Sequence, residues 1–217
     1  MVTATKQDLI PEAFREIVLQ RPLDADDLRS FPDDRNRYEI IGGQLIVSPS
    51  PTYRHQRVSF KLTSVLDAYL TTTGNGQAVA APMDVHLSFN DVVQPDLLVV
   101  LNERAEIIQD HGIVGAPDLV IEILSPSSIS NDFLRKSKLY EQFGVREYWI
   151  VNPESETVSV QVLDGDRYAL SVDYHRDDTL TSTVLDGFTL DLTSIFPDTR
   201  TELAPTTQED SQSANDE

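Results

Sequence analysis

Two short runs constrain this chain more than anything else in it. "DLLVV" at 96–100 and "DLVIEIL" at 118–124 are apolar at consecutive positions rather than alternate ones. A strand with one face in water alternates, whereas a run apolar on both faces belongs in the middle of a covered sheet. Each run also carries an acid: Asp96 opens the first and Glu122 interrupts the second. A buried carboxylate is costly unless it is paired, hydrogen-bonded or bound to a cation. If the two strands run antiparallel, the start of one lies beside the end of the other, and Asp96 and Glu122 become neighbours. Adjacent buried carboxylates repel unless one holds a proton or a cation stands between them.

The rest of the chain supplies the setting. "RYEIIGGQLIVS" reads as a hairpin turning at Gly42–Gly43. "HQRVSFKLTSVLDAYL" is a helix, with Val58, Leu62, Val65, Leu66, Tyr69 and Leu70 at helical spacing, ended by "TTTGNG". "NDFLRKSKLYEQF" is a second helix, stopped by Gly144 and with Asp132 as its expected cap. "AVAAP", "DVHLSF", "EYWIVNP", "TVSVQVL", "RYALSVDYH" and "FTLDL" read as further strands. A short helix is expected at "DADDLRSF" with Asp24 as N-cap, and another around "PEAFREIVLQ". The expected organisation is an N-terminal extension over 1–23, one α/β domain with a mixed central β-sheet flanked by helices over 24–197, and a polar tail over 198–217, expected to be disordered.

Charge and composition narrow the function. The net charge is −19, of which six acids against one arginine over 197–217 account for −5. The long-range field repels nucleic acid, so phosphate chemistry here needs metal ions or a local basic patch. With no cysteine there are no disulfides or thiolate metal sites. No apolar run is long enough to span a membrane, and the first residues do not read as a signal peptide, so a cytoplasmic protein is expected. The four histidines (His55, His86, His111, His175) show no metal-ligand spacing.

Three further side chains bear on the acid pair. Asp118 shares a strand face with Glu122 but lies about 13 Å away at four strand residues, so the two cannot chelate one ion. It is expected to open the strand and bond to backbone. On the helix at 131–143, Lys136 falls on the face of Phe133, Leu139, Tyr140 and Phe143, which packs inward, while Lys138 and Arg135 point to solvent. A lysine at a core edge can simply snorkel. Beside two acids on adjacent strands, it reads instead as part of a charged cluster. Glu39 in "YEII" alternates with apolar neighbours and could face either solvent or the cluster. Two carboxylates and a lysine suit metal-assisted phosphodiester hydrolysis. A metal-free carboxylate pair would suit a glycosidase, where the lysine has no task. His55 and Gln56 open a helix and suit either a phosphate contact or an ordinary cap. Ser125, Pro126 and Ser127 form a strand exit, and Tyr148 and Trp149 read as core or interface.

"RYEIIGGQLIVSPSPTYRHQ", "QPDLLVV", "PDLVIEILSPSS" and "KSKLYEQFGVREYWIVNP", in that order, resemble the Uma-two family of "putative restriction endonucleases", within the PD-(D/E)XK nuclease superfamily. The resemblance runs from about Asp24 to about Phe196. It implies a restriction-endonuclease-like core, a metal-dependent endonuclease using Mg²⁺ or Mn²⁺, DNA as substrate and a homodimer. It matches Asp96 to the PD acid, Glu122 to the (D/E)XK acid and Glu39 to the acid before the first turn, with Asp96 and Glu122 as the implied metal ligands. The superfamily lysine should stand two residues after Glu122, where this chain has Leu124. In this family it has moved to the following helix, at Lys136. A catalytically silent member serving as a binding or assembly protein is the alternative, consistent with the acidic charge.

Overall fold

The computed structural model describes Ile10 and residues 21–34, 36–125 and 130–196. The helix expected around residues 11–20, the tail from 198 onward, Pro126, Ser127 and the side chain of Asp132 lie outside the described residues.

The first described helix, α1 (Ala25–Leu28), starts where its cap dictates. The Asp24 carboxylate accepts from the Asp26 and Asp27 N–H groups, and Asp27 reciprocates on the Asp24 N–H. Strands β1 (Arg37–Ile41) and β2 (Gln44–Ser48) form the expected hairpin around Gly42 and Gly43, both at positive φ. Gly43 also lies against Pro22, whose Cβ would be only 2.6 Å from an added Cβ there. Helix α2 (Tyr53–Thr73) is capped by Thr52 and closed by left-handed Gly74. It buries Val58, Leu62, Leu66 and Leu70.

Strands β3 (Gly76–Ala80), β4 (Val85–Ser88), β5 (Asp91–Val93) and β6 (Leu97–Leu101) follow. Then come β7 (Ile108–Gln109), β8 (Gly112–Val114) and β9 (Leu119–Ile123). Helix α3 (Ser130–Phe143) leads into β10 (Glu147–Asn152) and β11 (Thr157–Asp164). The chain closes with β12 (Arg167–Tyr168), β13 (Val172–His175), β14 (Thr179–Thr181) and β15 (Thr189–Asp191).

The central sheet runs β12-β11-β10-β9-β6-β3, with β13 also on β11. It is mixed: β9 is antiparallel to β6 and parallel to β10. Both its faces are covered, which explains the two apolar runs. Leu97, Val99, Leu119 and Ile121 face a core built with α2 and the β14–β15 hairpin. Leu98, Val100 and Val120 face another built with Leu139 and Tyr140 of α3 and with Val85, Val93 and Ile113.

Two local readings change. The strands divide between two main sheets, since β2-β1-β5-β4-β8-β7 form a sheet of their own. Its strands are short; β4 buries one residue in four fully and β5 is three residues long, too little for periodicity to register. "RYALSVDYH" is two strands, because the chain bows outward between them and Leu170 is 96% exposed.

Candidate active site

The register of the central strands sets two acids side by side. Leu97 pairs with Ile121 across β6 and β9, so the next step sets Asp96 against Glu122. The Ile123 N–H donates to Asp96 Oδ2 at 2.8 Å, which ties the Asp96 side chain to the backbone beside Glu122. Both acids are buried.

Each acid has its own company. Arg37, from β1, donates Nη2 to Asp96 Oδ1 at 2.9 Å and Nη1 to the Gln94 carbonyl at 2.9 Å. His55 stands on the inner face of α2 and brings Nε2 to within 3.1 Å of Asp96 Oδ2. A carboxylate only accepts, so Nε2 carries the proton. Burial pushes the Asp96 carboxyl up, but His55, Arg37 and the Ile123 N–H together outweigh it and hold it down to about 2.

Glu122 goes the other way. Its Oε1 accepts from Lys136 Nζ at 2.8 Å and from the Tyr140 hydroxyl at 2.8 Å. Lys136 and Tyr140 are four residues apart on α3 and so share a face. Lys136 Nζ also pairs with Glu39 Oε1 at 2.8 Å, and that oxygen takes the Gln94 N–H at 2.8 Å. One cation therefore faces two carboxylates, with Asp96 close by. Burial raises the Glu122 carboxyl most. Asp96 and Glu39 add to the rise, and Lys136 only partly offsets it, leaving Glu122 pushed up to about 7. Burial lowers Lys136, but the two glutamates more than reverse this and hold it protonated.

The raised Glu122 carboxyl makes stability depend on pH. An acid whose folded pKa lies above its unfolded value stabilises fully below the unfolded value, and that contribution is lost as pH rises through the folded one. Here the window runs from about pH 4.5 to about pH 7. Glu122→Gln is expected to flatten the fall in Tm across that window, as read by calorimetric scans at several pH values. An unchanged slope would show that Glu122 titrates normally.

The residues singled out in the sequence divide clearly. Glu39, Glu122 and Lys136 converge, and Asp96 stands beside them. Asp118 is fully buried elsewhere; it accepts the Leu101 N–H at 2.9 Å and pairs with Arg104 and Arg146. Arg135 and Lys138 are exposed. Tyr148 and Trp149 are core residues. Reasoning from sequence passed over Arg37 and Tyr140 as partners of the acids and left His55 ambiguous. The signal for His55 was its register: it sits three and seven residues before Val58 and Leu62 turned inward, on the buried stripe of α2.

The donor chemistry can be tested against a metal. Among the described residues no group of three or more His, Cys, Asp or Glu side chains could hold an ion. Asp96 and Glu122 are hard oxygen donors on neighbouring positions, and the Glu122 carboxyl is raised in part by its neighbour's charge. This pair fits an ion that takes one or two carboxylates and keeps water or phosphate as its other ligands. It does not fit an ion needing a complete protein cage.

Comparison with known proteins agrees with the fold. The chain is similar to a crystal structure described as "a putative nuclease belonging to DUF820" from Anabaena variabilis ATCC 29413, with a TM-score of 0.69 and 20% identity. The match covers 81% of this chain and 98% of that one. No curated protein matches. The profile of the Uma2 family, described as "Putative restriction endonuclease", matches residues 25–193, which take in every acid of the site, Lys136 and the whole central sheet. The chain belongs to the Uma2 family.

Proposed function

We propose that the protein is an endodeoxyribonuclease that hydrolyses DNA phosphodiester bonds with a divalent ion, Mg²⁺ or Mn²⁺, held by Asp96 and Glu122, and that it acts in the cytoplasm. The observation that carries this reading is the position of Lys136, 2.8 Å from both Glu122 and Glu39, beside the Asp96–Glu122 pair. When bound, such an ion lowers the pKa of water and stabilises charge on the phosphoryl group.

The protein's own groups have distinct tasks. Arg37, His55 and the Ile123 N–H keep Asp96 ionised and fixed in place. Tyr140 and Lys136 fix one oxygen of Glu122. An ammonium has three N–H groups. Glu39 and Glu122 take two of those on Lys136, and the third is left to orient the attacking water or to bind a phosphate oxygen. Glu39, anchored by the Gln94 N–H, joins Glu122 in holding Lys136 protonated.

The test is cleavage of supercoiled plasmid with Mg²⁺ or Mn²⁺, alongside metal titration by calorimetry. Nicking that needs the metal and stops with chelator is the expected outcome. A folded sample that binds no metal and cuts nothing overturns the reading. A second reading, a binding or assembly protein without turnover, draws on two observations. The chain carries a net −19, and both Asp96 oxygens already have protein donors.

A further inference from the structure

The acid cluster draws on both main sheets. Glu122 lies on β9 and Asp96 stands just before β6, both in the central sheet, whereas Arg37 and Glu39 come from β1 of the second one. The chain crosses from the second sheet to the central one through Gln94, Pro95 and Asp96, between the end of β5 at Val93 and the start of β6 at Leu97. Gln94 is held in this crossing from three directions. Its N–H donates to Glu39 Oε1 at 2.8 Å, and its carbonyl accepts from Arg37 Nη1 at 2.9 Å. Its side-chain Nε2 donates to Asp84 Oδ1 at 2.7 Å. A carboxylate only accepts, so the amide nitrogen is the atom that faces Asp84. Asp84 is itself fixed at the entry to β4, where its carbonyl accepts the Ile113 N–H at 2.8 Å. Pro95 has no N–H and so adds no donor of its own to the crossing.

We propose that Asp84 and Gln94 are positioning residues for DNA cleavage: the bond between their side chains fixes the crossing peptide, and that peptide sets Glu39 and Arg37 against Lys136 and Asp96. The inference rests on the nuclease reading and adds to it two residues that act through others. Arg37 and Glu39 are two apart on one strand, so their side chains share a face. They hold the same residue at its two backbone groups, one at the carbonyl and one at the N–H. A shift of Gln94 therefore disturbs both at once. Glu39 passes the disturbance to Lys136, 2.8 Å away, and Arg37 passes it to Asp96 Oδ1, 2.9 Å away. Both halves of the site thus take their placement from one peptide. Misplacing a reacting group by about 1 Å can cost about 10²-fold in rate. The backbone groups of Gln94 remain whatever side chain stands there. What a substitution removes is the bond to Asp84, which is charge-assisted and of the stronger kind.

The rival explanation is a bond that only steadies the fold, and variants of the full chain separate the two. Gln94→Ala and Asp84→Ala should each lower kcat for plasmid nicking with Mg²⁺ or Mn²⁺ by about tenfold or more, with KM changed by less than about twofold. Asp84→Asn keeps an acceptor oxygen and should recover most of the loss. The double alanine variant should be no slower than either single one, because both remove the same bond. A second readout does not depend on cleavage. In Asp84→Ala the Gln94 amide, the donor to Glu39, should exchange with solvent at least about tenfold faster by NMR than in the parent or in Asp84→Asn. The amides of β9 should keep the parent's protection. Unchanged kcat in both single alanine variants, losses that multiply in the double one, or an asparagine variant as slow as the alanine one would overturn the proposal. So would equal exchange of the Gln94 amide in all three proteins, or a loss of protection shared equally by β9, which is the mark of a purely structural bond. A parent that cuts nothing sinks the nuclease reading, while the exchange comparison still decides whether Asp84 fixes the Gln94 peptide.

Discussion

Replacing Lys136 with methionine is expected to lower the rate of DNA cleavage by about 10²–10³-fold, the usual effect of removing one preorganised charge from a transition state. Metal binding should survive this change, because both carboxylates remain. Asp96→Asn and Glu122→Gln should behave differently, losing the heat of metal binding as well as cleavage. The three signatures are read by calorimetry and plasmid nicking on the same preparations. Lys136→Met also leaves Glu39 and Glu122 buried without their shared cation, at a stability cost of about 3–5 kcal/mol. Assays therefore belong below the Tm of the variant, and Lys136→Arg, which keeps the charge but moves its position, separates charge from geometry. Equal activity in all variants would remove these residues from the mechanism.

Glu147→Ala is expected to cost about 3–5 kcal/mol, with no effect on metal binding in the fraction that remains folded. Glu147 is fully buried at the start of β10 and far in role from the acid pair. Its Oε1 accepts from Trp149 Nε1 at 2.6 Å. Its Oε2 accepts from the Thr183 N–H at 2.7 Å and the Thr183 hydroxyl at 2.6 Å. Alanine would strand three donors, two of them in the connection between β14 and β15. Urea unfolding, with Trp149 as the fluorescent probe, reads the change. A loss under about 1 kcal/mol, the net worth of one ordinary hydrogen bond, would mean that water replaces the carboxylate.

Much of this arrangement is written locally. Consecutive apolar residues at 97–100 and 119–121 called for strands covered on both faces, and two cores cover them. Helical spacing alone put Lys136 on the inner face of its helix, and there it is buried. What local pattern could not supply is the company Asp96 keeps. Arg37 and His55 precede it by 59 and 41 residues and reach it only through the packing of β1 and α2. Glu39 shows the same limit. Alternation allowed it to face solvent, and the structure buries it, with Lys136 of α3 and the Gln94 N–H on its carboxylate. The division into two sheets was illegible for another reason: strands of two or three residues carry too few side chains to show a period.

Asp96 and Glu122 stand side by side yet act on the fold with opposite sign. Asp96 ionises more readily folded than unfolded and stitches β6 to β9, so the domain gains from keeping it. Glu122 resists ionisation where it sits, so the domain gains from its protonated form and loses that gain as the carboxyl ionises. The two acids therefore make opposite demands on pH: the gain from Asp96 is full above its unfolded value and the gain from Glu122 below its own. Raising the pH through neutrality thus leaves Asp96 still holding β6 to β9, while Glu122 takes on its charge beside Lys136.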